Sequence, residues 1–143
     1  LVLGLLAAGA AQAQFAMVPS PLCVAPHQSA TADEEQYRID AARHLYTCFP
    51  MRVFRGRVPP LLYGVMVVDI AIGADGAVSG VDVIRKPAAE EVEPWVVAMI
   101  RRAAPFPAPA KLPGGTVHFT ETFVVDKSGL FQVMSLAEGQ RDH

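Results

Sequence analysis

The sequence predicts an α+β fold from the order of three features. An alternating apolar run, an Asp-Gly turn and a second apolar run make a β-hairpin between residues 62 and 85. A stripe of apolar residues at helical spacing follows over 91–103. Proline clusters stop that helix, and another apolar strand begins at Thr116. A hairpin, a helix and a further strand in that order build a largely antiparallel sheet of three to four strands with one helix packed on a face. An extra N-terminal helix precedes this unit. The chain has 143 residues, of which 52% are hydrophobic and 18% charged. That is enough apolar material for one modest core, so 32–137 is expected to be a single globular domain.

Residues 1–13 read as a signal peptide whose basic start lies upstream of Leu1. Leu1 to Ala8 is an apolar run too short to span a bilayer, and Ala11-Gln12-Ala13 is the small-x-small pattern of a cleavage site. The mature chain then begins at Gln14. Residues 14–31 hold Pro19, Pro21 and Pro26 without periodicity and form an extended leader. The cysteines, Cys23 and Cys48, suit an exported protein and are expected to form a disulfide. Thr31 followed by Glu34 fits a capping box, and Tyr37, Ala41, Leu45 and Cys48 recur at helical spacing. The first helix is placed at 32–47, ended by Phe49-Pro50.

Residues 51–61 are a connector in which Arg52, Arg55 and Arg57 are candidate partner-facing cations. Leu62–Ile72 is the first strand and Val78–Arg85 the second, joined by Gly73-Ala74-Asp75-Gly76. In the second helix, Glu90, Glu91 and Glu93 at the start and Arg101-Arg102 at the end complement the helix dipole. Pro94 belongs in the first turn. Trp95, Met99 and Ile100 from its stripe, with Phe106, are the expected core anchors. Thr116–Val125 is the third strand. Glu121 interrupts its apolar face and reads as a bulge or an edge position rather than a functional carboxylate. Leu130–Leu136 forms a final strand, and 138–143 is a polar, frayed tail.

The segments Tyr63-Gly64-Val65-Met66-Val67-Val68, Ala74-Asp75-Gly76-Ala77-Val78, Val81-Asp82-Val83-Ile84-Arg85-Lys86 and Met99 through Pro109 stand in a distinctive order. The helix-ending Ala104-Pro105-Phe106-Pro107-Ala108-Pro109 is the most specific of them. Together they resemble the C-terminal domain of the TonB family over residues 59–126. The resemblance implies a periplasmic module that binds an extended segment of an envelope protein, such as an outer-membrane receptor, by adding strand to strand. Self-association through the same sheet edge is a further expectation, with the third or the last strand as the open edge. Two other roles stay open: an inner-membrane-anchored energy transducer of the TonB type for outer-membrane transport, and a structural envelope protein without peptide binding.

Other chemistries find little in the residues. A net charge of -2 argues against nucleic-acid binding. His27, His44, His118 and His143 lack metal-ligand spacing, and Ser79 lies outside a nucleophile-elbow pattern. No phosphate-cradling glycine motif leads into a helix. Asp69, Asp75 and Asp82 lie near one hairpin, where the turn accounts for Asp75 and solvent for the others. No catalytic residue, metal or small-molecule cofactor is expected.

Overall fold

The computed structural model describes residues 18–24, 28–56 and 63–136. The expected signal peptide, the frayed tail, Arg57 and Leu62 lie outside the described residues. Helix α1 spans Glu34–Cys48. Strands β1 (Gly64–Ile72) and β2 (Val78–Arg85) precede helix α2 (Val92–Arg102), and β3 (Val117–Val125) and β4 (Phe131–Val133) follow it. The four strands form one antiparallel sheet in the order β2-β1-β3-β4. This is the α+β architecture that the sequence predicts.

Period-two burial follows from the pleat. Met66, Val68, Ile70 and Ile72 of β1 are buried, while Val65, Val67, Asp69 and Ala71 are only partly covered. Beneath the buried face, α2 contributes Val92, Val96, Met99 and Ile100 to the core, and α1 contributes Tyr37, Ala41, Leu45 and Cys48. Phe106, Phe119, Phe123 and Phe131 complete it.

Local chemistry moves several boundaries. The N-cap of α1 is Asp33, not Thr31: the Asp33 carboxylate accepts the Glu35 N–H at 3.1 Å, and the Thr31 hydroxyl accepts the Asp33 N–H at 2.9 Å. The final strand is shorter than 130–136. The Val133 N–H turns to the Tyr46 hydroxyl at 3.1 Å, and Met134–Leu136 becomes a 3-10 turn. Met99, Ile100 and Phe106 are buried as expected, but Trp95 is only partly buried and packs against the margin of the core. At 100° per residue, Trp95 stands about 80° from the centre of the stripe formed by Val92, Val96, Met99, Ile100 and Ala103.

Glu121 is neither bulged nor exposed. The β1–β3 register runs without a shift from Gly64↔Val125 to Ile72↔Val117, and Glu121 sits opposite Val68 with 4% of its surface accessible. It lies where β4 gives out. Its Oε2 accepts the Thr122 N–H at 3.0 Å and the Ser135 N–H at 3.4 Å, which ties the turn after β4 back to β3. Burial raises its pKa, partly opposed by these hydrogen bonds.

Candidate functional site

A sheet of this order has two margins, and they differ. The β4 margin is covered. The Phe54 N–H donates to the Phe131 carbonyl at 2.8 Å, and Val53 makes a parallel bridge with Phe131. The Gln132 amide donates to the carbonyls of Phe54 and Gly56. Among the described residues, the β2 margin carries no further strand: β2 pairs with β1 on one side through six of its eight residues. The open edge is therefore the second strand. The third strand lies inside the sheet order, and the last is closed by a connector that carries no strand pattern of its own.

Ladder alternation decides which backbone groups of β2 face outward. The Phe131 carbonyl and the Val133 N–H are engaged away from β3. Gln132 and its partner Val124 are consequently the residues that exchange bonds between β4 and β3. Carried through the unbroken β3–β1 register, the same alternation turns Val67, Asp69 and Ala71 toward β2. Their partners Arg85, Asp82 and Gly80 close that ladder. The N–H and C=O groups of Val81 and Val83 then point away from the sheet.

Two register shifts shape this edge. One leaves Ile84 unopposed between the Val68↔Val83 and Val67↔Arg85 pairs, and the other leaves Ser79 unopposed between Ala71↔Gly80 and Ile72↔Val78. Bulges of this kind twist an edge and stop open-ended pairing. Regular geometry is confined to Gly80–Val83. On the sheet face away from the helices, Asp69 and Asp82 are directly opposed across the ladder, and the exposed His118 Nδ1 lies 3.5 Å from Asp69 Oδ1.

The other residues singled out by the sequence fall elsewhere. Cys23 and Cys48 form the expected disulfide. His44, one turn before Cys48 on α1, was not marked by any motif, yet it is buried beside that bridge. Its Nε2 donates to the Ala103 carbonyl at 2.7 Å and lies 3.4 Å from the Cys48 sulfur. Burial lowers its pKa, while backbone carbonyls at Ala103 and Pro105 oppose the shift. The donor atoms of Cys23, His44 and Cys48 lie within 4.8 Å of one another. Both sulfurs are committed to the disulfide and Nε2 to a carbonyl, so the arrangement staples the leader and α1 to the end of α2. Arg55 is exposed, whereas Arg52 is partly buried. Among the described residues, no helix is long and apolar enough to cross a membrane.

No protein-family model matches this chain, and no curated protein or solved structure matches it either.

Proposed function

We propose that this chain is an exported, periplasmic interaction module that takes up an extended segment of an envelope protein by strand addition at β2. The observation that carries this reading is the one-sided pairing of β2, with the backbone groups of Val81 and Val83 directed outward. Strand addition draws on backbone hydrogen bonds and needs neither a catalytic group nor a cofactor. The bulges at Ser79 and Ile84 limit the partner to a short strand, and Asp82 favours one with a cationic side chain on the outer face. The Cys23–Cys48 bond supports an oxidising compartment. An outer-membrane receptor segment is one partner of this chemistry, and a second copy of the chain is another.

The test is selection of peptides from a display library of envelope-protein fragments, followed by binding to wild type and to Val83→Pro. The Val83 N–H faces away from β1, so proline removes a docking group and spares the ladder. Selected peptides are expected to lose binding to Val83→Pro and to protect the Val81 and Val83 amides from hydrogen exchange in wild type. Equal binding to the variant, or no protection at those amides, refutes strand addition at β2. A failure to select any binder favours the structural envelope role. The intact mass of the protein recovered from cells separates the remaining alternative: a chain starting at Gln14 in the periplasmic fraction excludes an anchored transducer, and retention of residues 1–13 in the inner membrane favours it.

A further inference from the structure

Among the described residues, five large apolar side chains are exposed: Val18, Leu22, Val24, Met51 and Ile84. Four of them belong to two short segments, 18–24 and 49–56, that meet at one place. The Cys23–Cys48 bond joins the segments, and the Ser20 N–H donates to the Cys48 carbonyl at 2.7 Å. Val18 and Met51 line one shallow groove of about 360 Å³ with Pro21, Phe49 and Arg52. Leu22 sits in a tight turn, and Met51 in the 3-10 turn Pro50–Arg52, where 87% of its surface is accessible. Leu22 and Met51 thus protrude from turns, and Val18 and Val24 flank the first of them in the chain.

Charge within the two segments themselves is of one sign. Residues 18–24 carry no charged side chain, and 49–56 carry Arg52 and Arg55 with no acidic residue. This stands out in a chain whose net charge is -2.

We infer that this patch docks on an anionic lipid surface, with Met51, Val18, Leu22 and Val24 entering the headgroup boundary and the exposed Arg55 meeting lipid phosphates. Protruding unbranched and branched aliphatics beside cations match an interfacial membrane contact, which draws on buried apolar area and on attraction to anionic lipid together. The disulfide holds both turns in place before contact, so little ordering entropy opposes docking. Met51 and Arg52 lead directly into Val53, on the β4 margin. Docking there leaves the β2 edge, at the opposite margin, free.

The experiment is co-sedimentation of the full chain with vesicles of phosphatidylglycerol and phosphatidylethanolamine, against vesicles of phosphatidylcholine. Wild type is expected to bind the anionic vesicles preferentially and to release as salt rises. Met51→Asp or Leu22→Asp is expected to weaken binding about tenfold, the effect of withdrawing one buried aliphatic side chain. Arg55→Glu is expected to abolish the preference for anionic lipid. All three positions are exposed, and an unchanged thermal transition verifies the fold. Three results overturn the inference: no binding to either vesicle, binding unaffected by Met51→Asp and Leu22→Asp, or equal binding to both lipids. The second would assign any membrane affinity to the apolar run 1–13. Val83→Pro is expected to leave vesicle binding unchanged, which separates this surface from strand addition at β2.

Discussion

Replacing Gly76 with alanine is expected to be among the most damaging single-methyl changes in this chain. Gly76 ends the hairpin turn at φ 86°, and its carbonyl accepts the Phe106 N–H at 2.8 Å. A Cβ at this position would stand 2.1 Å from the Phe106 carbonyl oxygen, 3.1 Å from its carbon and 3.2 Å from its nitrogen. Backbone occupies that space, so the hairpin tip and the segment after α2 have to separate. The left-handed conformation costs about 1–2 kcal/mol for a residue with a Cβ. Loss of the hydrogen bond adds about 1 kcal/mol. Displacing Phe106, which is buried at 1% exposure, adds part of the roughly 1.5–3 kcal/mol of its burial. Gly76→Ala is therefore expected to lower stability by about 3 kcal/mol or more. Gly114→Ala is the internal control: it has φ 76° and no atom within 4 Å of the new Cβ, so only the conformational term applies. Urea unfolding with the disulfide intact measures both. At a slope of about 1–3 kcal/mol per molar urea, Gly76→Ala is expected to fall about 1 M below Gly114→Ala in midpoint. Equal midpoints for the two variants would refute the steric reasoning.

Glu121 predicts a pH dependence. Its pKa is raised in the folded chain, chiefly by burial, so the native state holds its proton over a range where the unfolded chain has released it. Stability from this group is full below the ordinary carboxylate range and is lost as pH rises through the raised value. Glu121→Gln keeps an acceptor for Thr122 and Ser135 and is expected to flatten this loss in urea midpoints measured across pH. An unaltered profile would sink the assignment. The disulfide predicts a second effect: reduction, or the double change Cys23→Ser and Cys48→Ser, opens a loop with a sequence separation of 25. Chain-entropy reasoning puts the loss at roughly 3 kcal/mol, measured by denaturation with and without a dithiol reductant. A loss below about 1 kcal/mol would mean that the bridge does little to constrain the unfolded chain.

Elements whose cause is local were legible in the residues. Val78–Arg85 was read to the residue, because Asp75-Gly76 turns the chain and Val78 resumes the alternation. Helix α2 was read to within a residue at each end, since Pro94, the glutamates and Arg101-Arg102 mark its termini. The Cys23–Cys48 pairing followed from an even cysteine count read together with the expected export signal. The two most distinctive sequence motifs, the Asp-Gly turn and the Pro-Phe-Pro segment, meet through Gly76 and Phe106, a contact between residues 30 positions apart that neither motif announces.

Sequence alone thus determined what depends on neighbours along the chain: the hairpin, the helical stripe, the turns and the presence of two fastened cysteines. Tertiary structure decided what depends on partners far away. Glu121 looked like a break in an apolar face, but it is a buried acceptor for the turn after β4, because Ser135 arrives there only once the sheet is assembled. Trp95 moved to the margin of the core because the packing direction of α2 is set by the sheet beneath it. The open edge passed to β2 because a connector with no strand pattern, Val53-Phe54, closes β4. Edge exposure is a property of strand order and of what lies beside the last strand, and no periodicity within a single strand carries that information.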